Sequence, residues 1–130
     1  MFDKYMICED GFRNFVRDGK VAGFQFGARL PYYRGLGLSM VEDIAIAVDG
    51  QPVPREQVEL QLQCGTYTLA EMETVYDSVW QMGEIAQVRI TYPGGLSRGA
   101  HRLELTEQLR VSYMPFPVMG RDAKTLTLQE

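Results

Sequence analysis

The stretch DGKVAGFQFGARL, residues 18–30, decides the fold class of this chain. From residue 24 onward every second residue is apolar: Phe24, Phe26, Ala28 and Leu30. Because successive side chains of a β-strand point to opposite faces, these four residues would share one face. The preceding Asp18-Gly19 supplies the positive φ angles of a tight hairpin turn. The stretch therefore predicts the second strand of a hairpin, with one buried face.

The same alternation recurs along the rest of the chain. Four further series of alternating apolar residues are Ile44, Ile46 and Val48; Val58, Leu60 and Leu62; Ala86, Val88, Ile90 and Tyr92; and Leu103, Leu105, Leu109, Val111 and Tyr113. Asp49-Gly50 and Pro93-Gly94-Gly95 have the composition of turns between strands. Short strands at this spacing are typical of a sandwich or jelly roll. We therefore predict a single all-β domain over residues 1–130, an antiparallel β-sandwich of jelly-roll-like type.

Two local features complete the fold prediction. Thr68, followed three residues later by Glu71, fits a capping box, which predicts at most one short helix near residues 69–75. Glu107 interrupts the last apolar series at a position that should face inward. A β-bulge near Glu107 would turn its side chain outward; otherwise we expect it at an edge or an interface.

The composition excludes several classes of protein. The 130 residues are 45% hydrophobic, enough for a core, and carry a formal net charge of −4 at pH 7. Lys and Arg are scattered singly, which argues against a nucleic-acid surface. No apolar stretch approaches the roughly 20 residues of a membrane span, and no secretory signal is visible. We therefore expect a cytoplasmic protein without nucleic-acid or membrane partners, in which Cys8 and Cys64 are free buried thiols.

The sequence lacks the residues of a complete active site. The one histidine, His101, cannot alone supply the ligands of a metal-binding β-barrel, and nothing places it beside Cys8 or Cys64 as a nucleophilic pair. Glu42 and Asp43 are neighbours on a predicted strand and point to opposite faces, so they do not form a glycosidase pair. We predict no catalytic residue, no cofactor-binding residue and no metal ligand in this chain, and a structural role for His101.

One segment, LPYYRGLGLSM at residues 30–40, fits neither the helical nor the strand period. It is too long for a hairpin turn and too apolar for a solvated loop, and Tyr, Arg and Met are enriched in interface cores. It either folds back to plug one end of the sandwich or docks a partner or covers a substrate. A second candidate is YMPFPVM at residues 113–119, where two prolines stop regular pairing. A third apolar stretch, at Trp80 and Met82, is better explained by core packing.

Several short motifs occur together in one protein family. They are MFDKY at residues 1–5, DGFRN at 10–14, the run from Leu30 to Ile44, GGL at 94–96, YMPFP at 113–117, GRD at 120–122 and KTL at 124–126. In this order, and over essentially the full chain, the sequence resembles the small β subunit of bacterial C-glycoside deglycosidases. The ordered set, rather than any one motif, carries the resemblance.

The resemblance implies a non-catalytic subunit of a heteromeric carbon–carbon lyase. In this family a larger α subunit, similar to a sugar-phosphate isomerase TIM barrel, holds a divalent metal such as Mn²⁺ and the acid–base residues. The substrate is a 3-oxo-C-glycoside of a flavonoid or similar aryl compound, which is cleaved by β-elimination. The β subunit would stabilise the α subunit and help shape its substrate entrance. The implied contact residues are Tyr32, Tyr33, Arg34, Leu36 and Leu38, and then Pro115, Phe116 and Pro117.

Two other classes of protein are compatible with the residues. A stand-alone carbohydrate-binding β-sandwich module would stack Tyr32 and Tyr33 on sugar rings and bind glycans as a monomer. A structural or adhesion-type sandwich would normally carry an export signal. Expression of the chain alone and together with a larger subunit separates these classes.

Overall fold

The computed structural model describes residues 6–30, 35–81, 83–110, 115 and 117–128. The strands in these ranges are β1 (Arg13–Arg17), β2 (Lys20–Ala28), β3 (Leu36–Gly37), β4 (Val41–Val48), β5 (Gln51–Pro52), β6 (Val58–Leu62), β7 (Gly65–Thr68), β8 (Val79–Trp80), β9 (Ala86–Thr91), β10 (Gly99–Leu109) and β11 (Val118–Leu128). The helical elements within the described ranges are α1 (Leu69–Met72) and the short 3-10 turns Leu38–Met40 and Arg55–Gln57.

The described strands pair in antiparallel fashion. One sheet has five strands in the order β1-β2-β9-β6-β7, and a second has four strands in the order β11-β10-β4-β5. The short strands β3 and β8 form a separate pair. Because both larger sheets turn an apolar face toward a shared core, the prediction of an all-β antiparallel sandwich is confirmed.

The core is built from the alternating residues that the sequence singles out. Phe24, Phe26 and Ala28 of β2 are fully buried. They belong to the same cluster as the inward residues of β4, β6, β9 and β10. Burial of one large apolar side chain stabilises a fold by roughly 1.5–3 kcal/mol relative to an exposed position, so these rows dominate the stability of the sandwich.

Two hairpins turn at Asp-Gly pairs, as predicted. Asp18 and Gly19, between β1 and β2, have φ angles of 52° and 78°. Asp49 and Gly50, between β4 and β5, have φ angles of 50° and 82°. Two successive residues with positive φ form a type I′ turn, whose twist matches that of the flanking strands.

The predicted capping box is also present. The backbone N–H of Glu71 donates to Thr68 Oγ1 at 3.2 Å, and the N–H of Thr68 donates to Glu71 Oε1 at 2.8 Å. The helix covers only Leu69–Met72 of the predicted interval. Beyond it the backbone N–H groups of residues 73–75 bond to carbonyls three residues back, because the chain tightens as it reaches the β-branched Thr74 and Val75.

The structure places Glu107 differently from the prediction. A bulge does occur, but it lies on β4. Gln108 pairs with Asp43 and Leu109 pairs with Val41, so Glu42 is the extra residue. Glu107 therefore keeps its inward position and is fully buried. It neither points outward nor lies at a sheet edge, since β10 has β11 on one side and β4 on the other.

Both cysteines are free, as predicted, but only Cys8 is buried. The prediction that Cys64 is buried was wrong. Leu62 pairs with Gly65, so Gln63 and Cys64 form a two-residue turn between β6 and β7, and the Cys64 side chain is exposed there.

Strand β11 has no counterpart in the sequence prediction, and the segment at residues 113–119 ends earlier than expected. Val118 and Met119 already belong to this strand. The register with β10 puts Gly120, Asp122 and Lys124 on the same face as the buried residues of β10. Because three inward positions carry no apolar side chain, the period-two signal is lost over half of the strand.

Candidate functional site

The two segments proposed for partner contact start from the same end of the sandwich. The backbone N–H of Arg110, at the end of β10, donates to the carbonyl of Met40 at 2.8 Å. Leu109 also pairs with Val41 at the start of β4. Met40, the last residue of the segment at residues 30–40, therefore adjoins Arg110, which lies three positions before the segment at residues 113–119. We call this end of the sandwich, around Met40 and Arg110, the candidate end.

Leu36 and Leu38 are part of the core at the candidate end. Leu36 pairs with Trp80 across β3 and β8, and the N–H of Leu38 donates to the carbonyl of Ser78 at 3.1 Å. The exposed fractions of Leu36 and Leu38 are 8% and 0%. The two side chains are covered by residues of this chain, as expected if the segment plugs the sandwich, and they do not belong to the proposed contact surface.

The remaining predicted contact residues divide into two groups. Pro115 and Pro117 are exposed, and they precede the buried Val118 of β11. The others lie outside the described residues and stay predictions: Tyr32, Tyr33, Arg34 and Phe116. The Met82 of the third apolar stretch also lies outside the described residues.

Trp80 and Glu84 stabilise the loops at this end. Trp80 is fully buried, which confirms its predicted role in core packing. Its Nε1–H donates to the backbone carbonyl of Glu84 at 3.0 Å. The Glu84 carboxylate accepts from the N–H of Gln63 at 2.8 Å and from the N–H of Gln81 at 3.1 Å. One residue thus holds the β6–β7 turn against the loop that follows β8.

His101 has a structural role, as predicted, far from the candidate end. Its Nδ1 lies 2.6 Å from Asp49 Oδ2, and its Nε2 lies 2.7 Å from the carbonyl oxygen of Ser97. Both ring nitrogens face acceptors, so the arrangement favours the doubly protonated imidazolium. Leu109 lies eight positions after His101 along β10, a distance of roughly 27 Å at the rise of an antiparallel strand.

The His101–Asp49 pair shifts the pKa of both partners. Burial by itself lowers the pKa of His101, but the hydrogen bonds to Asp49 and Ser97 outweigh it and raise the pKa above its usual value. The hydrogen bond with His101, together with that from the Arg102 backbone, lowers the pKa of Asp49. The pair ties the β4–β5 turn to the start of β10.

An unexpected feature is the clamp on residues 6–8, which we call the N-terminal strap. The strap pairs with the end of β2: the N–H of Cys8 donates to the carbonyl of Gly27 at 2.9 Å, and Ile7 forms a bridge with Ala28. On its other side the N–H of Ile7 donates to Asp122 Oδ2 at 2.9 Å. Lys124 Nζ donates to the Ile7 carbonyl at 2.5 Å.

The strap explains why β11 carries charged residues on its inner face. Asp122 and Lys124 satisfy both backbone groups of Ile7, so these side chains link the four-stranded sheet to β2 of the five-stranded sheet. They also lie 3.7 Å apart as an ion pair. The sequence signal was present in the GRD and KTL motifs, but only the register of β11 with β10 shows that these residues face inward.

The described residues show no metal-binding cluster. Among them, no group of three or more His, Cys, Asp or Glu side chains is arranged to hold a metal ion. Glu42 and Asp43 do not face each other across a cleft; Arg55 Nε donates to Asp43 Oδ1 at 3.1 Å at the surface. Burial raises the pKa of the Cys8 thiol. None of the described helices is both long and apolar enough to cross a membrane.

Comparison with known proteins assigns the family. Residues 2–113 match the family model described as C-glycoside deglycosidase beta subunit. This chain belongs to that family. The matched residues include the strap and the candidate end as far as Arg110, whereas β11, which completes the clamp on the strap, follows the matched range.

Three curated relatives agree with the family assignment. A C-glycoside deglycosidase beta subunit of Eubacterium cellulosolvens is 36% identical over 114 residues, covering 87% of this chain and 78% of the relative. A 3'-dehydrocarminate deglycosidase beta subunit of Microbacterium sp is 36% identical over 107 residues, covering 79% and 80%. A C-glycoside deglycosidase beta subunit of Arthrobacter globiformis is 33% identical over 98 residues, covering 75% and 74%. The resemblance noted in the sequence is thereby confirmed.

Proposed function

We propose that this chain is the small, non-catalytic subunit of a cytoplasmic C-glycoside deglycosidase complex. The complex cleaves the carbon–carbon bond of a 3-oxo-C-glycoside, with a flavonoid or similar aryl group as the leaving part. The chain stabilises a larger TIM-barrel subunit and helps shape its substrate entrance. The observation that carries the proposal is the match to the beta-subunit family over residues 2–113, which spans most of the chain.

The proposal assigns the chemistry to the larger subunit. The described residues of this chain do not fit a divalent metal, because no cluster of ligating side chains occurs among them. Histidine is the most common general base in enzymes, but His101 is held by Asp49 and Ser97 at the end of the sandwich remote from the candidate end. The base, the acid and a metal, proposed as Mn²⁺, would therefore come from the partner.

The proposed reaction is consistent with catalytic groups that all come from the larger subunit. A ketone at C3 of the sugar acidifies the proton at C2, and a base removes it. The C1–C2 double bond then forms, the bond from C1 to the aryl carbon breaks, and that carbon receives a proton. Negative charge develops on the C3 oxygen, where positioned positive charge or hydrogen-bond donors lower the barrier. A divalent metal in the larger subunit would supply this stabilisation as a Lewis acid.

We place the contact with the larger subunit at the candidate end. Tyr32, Tyr33, Arg34 and Phe116 are expected there together with the exposed Pro115 and Pro117. Met40, at the end of the first segment, is hydrogen-bonded to Arg110, three positions before the second segment, which supports a common surface. Tyr and Arg supply large contact area and directed hydrogen bonds, and Arg34 would pair with a carboxylate of the partner or with a polar group of the substrate.

Co-expression with the larger subunit tests the proposal. We expect both chains to elute together in size-exclusion chromatography, with the divalent metal in the complex and turnover of a 3-oxo-C-glycoside. The chain alone is expected to carry no stoichiometric metal. A monomer that ignores the larger subunit and binds free glycans would instead identify a carbohydrate-binding module.

Two variants test the contact surface. Tyr33→Ala and Arg34→Ala are each expected to weaken assembly or lower turnover while the circular dichroism spectrum of the chain stays unchanged. The matched control is Arg102→Ala, which removes an exposed arginine close to His101, remote from the candidate end. Unchanged assembly and turnover in both variants would exclude this surface as the contact.

A further inference from the structure

The outer face of the five-stranded sheet carries a second surface that the candidate end does not use. Cross-strand pairing aligns Arg13 of β1, Gln25 of β2, Arg89 of β9 and Glu59 of β6 in one row. These residues and the adjoining Phe15 face away from the core. Arg13, Gln25, Arg89 and Phe15 line a groove of about 650 Å³ that is open to solvent.

An aromatic ring holds guanidinium groups in place on this face. Gly23, the cross-strand neighbour of Phe15, has no side chain, and the Phe15 ring lies over it. The guanidinium carbon of Arg17 lies 5.1 Å from the centre of the Phe15 ring, and that of Arg89 lies 5.9 Å from it. Phe15 is only 9% exposed although it lies on an outer face. Stacking of this kind stabilises the cation and limits its freedom before any partner binds.

The charges on this face are not balanced. Glu59, the acidic neighbour of Arg89 in the sheet, forms its ion pair with Arg17 at 2.5 Å. Arg13 and Arg89 make no ion pair or side-chain hydrogen bond with any residue that the structure describes, and Arg89 Nε is fully shielded from solvent without an acceptor. Two guanidinium groups therefore face outward from a chain whose net charge is −4.

The floor between the two arginines is polar and already ordered. Gln25 is only 2% exposed, and its Nε2 donates to Gln87 Oε1 at 3.1 Å across β2 and β9. Arg13 and Arg89 are two strands apart, about 10 Å between backbones. The groove is open to solvent, so a small anion bound there would stay partly in water, whereas small-molecule sites enclose their ligands. Its arginines and buried aromatic ring are typical of protein interfaces.

We propose that this groove between Arg13 and Arg89 is a docking surface for carboxylate side chains of the larger subunit. The proposal rests on the proposed function, because it assumes that the complex forms. Each guanidinium offers a fork of N–H donors that matches a carboxylate, and water is excluded around Arg89 Nε. The groove thus supplies electrostatic complementarity, while the candidate end supplies apolar contact.

A pair of double variants tests the proposal by the dissociation constant of the complex. Arg13→Gln with Arg89→Gln removes both guanidiniums of the groove. Arg98→Gln with Arg102→Gln removes the same charge from exposed positions outside the groove. Loss of hydrogen-bonded charge pairs predicts a dissociation constant at least about 30-fold higher for the groove variant. We expect less than a threefold change for the control, and a steeper loss of affinity with added NaCl for the wild type than for the groove variant.

The outcomes separate this proposal from the proposed function. If the wild-type complex forms and the groove variant binds as tightly as wild type, the groove is not the docking surface, and the subunit assignment stands. Equal weakening in both double variants would mean a general effect of net charge and would also overturn the proposal. If the groove variant changes only self-association of the chain or binding of free citrate, the occupant is a second copy or a small anion. If the wild-type chain forms no complex, both proposals fail.

Discussion

The clamp on the N-terminal strap leads to a quantitative prediction for Asp122→Ala. Asp122 accepts a hydrogen bond from the backbone N–H of Ile7, and Ile7 is fully buried. Without this carboxylate the buried N–H has no acceptor, which costs about 1–3 kcal/mol, with bonds to charged groups in the upper part of that range. Asp122→Ala also removes the ion pair with Lys124, but that pair is long at 3.7 Å, and Lys124 keeps its hydrogen bond to the Ile7 carbonyl. We expect the free energy of unfolding to fall by about 2–3 kcal/mol.

Two measurements report the effect of Asp122→Ala. Urea unfolding gives the change in the free energy of unfolding of the whole domain. In a thermal melt of a chain of this length, the same loss corresponds to a fall in Tm of roughly 6–12 °C. Labelling of the Cys8 thiol gives the local change, since Cys8 belongs to the strap and is 6% exposed. In a Cys64→Ser background Cys8 is the single cysteine. A loss of 2–3 kcal/mol predicts roughly 30- to 150-fold faster labelling.

Two control variants make the strap prediction specific. Asp122→Asn keeps an oxygen acceptor of the same shape, so we expect it to lose less stability than Asp122→Ala. Glu104→Ala removes an exposed carboxylate of the neighbouring strand β10 and should leave both measurements within about 0.5 kcal/mol of wild type. If Asp122→Ala neither lowers the free energy of unfolding nor accelerates labelling of Cys8, the hydrogen bond to Ile7 does not hold the strap.

Two further predictions follow from single positions. Folding raises the pKa of His101, so its contribution to stability is complete below the unfolded value of about 6.5 and is lost as pH rises through the folded pKa. The free energy of unfolding should therefore decline over that window in wild type and not in His101→Gln; an identical pH profile in both proteins would refute the role of the imidazolium. A Cβ atom at Gly23 would lie 1.9 Å from the backbone oxygen of Ile90, so Gly23→Ala should cost about 3 kcal/mol or more. Gly37→Ala, where the nearest atom is 4.0 Å away, is the control, and equal stability of the two variants in urea unfolding would contradict the steric argument.

Local pattern was sufficient for most of the sandwich. The alternation within β2, β4, β6, β9 and most of β10 depends only on which residues avoid water, and the structure buries the alternating residues of these strands. Tyr92, which follows β9 and was predicted in the same series, is 42% exposed, and Val111 and Tyr113 lie outside the described residues. The Asp-Gly turns and the capping box depend on backbone angles and hydrogen bonds within a few residues, so they too are legible in the sequence. Strand β11 was missed because its inner face depends on a distant contact. Its inward polar side chains bind the backbone of Ile7, more than 110 residues away in the chain.

The candidate site was predictable in part. Composition identified the segment at residues 30–40 as unusual, because its residue types are those of cores and interfaces. It did not separate residues that plug the sandwich from residues that meet a partner. That distinction requires the pairing of Leu36 with Trp80, which lie 44 positions apart in the sequence. The groove at Arg13 and Arg89 was likewise invisible, since its residues come from strands that are distant in the chain.

Sequence and tertiary structure therefore decide different properties of this protein. Spacing of apolar residues and turn chemistry establish an all-β fold, because they are properties of short segments. The order of the motifs along the chain indicates the family that the match over residues 2–113 confirms. Pairing of the strands decides which side chains of each strand face inward and which residues of other strands they contact. That pairing hides Leu36 and Leu38, turns Asp122 and Lys124 inward to hold the strap, and brings Arg13 and Arg89 to the two sides of one groove.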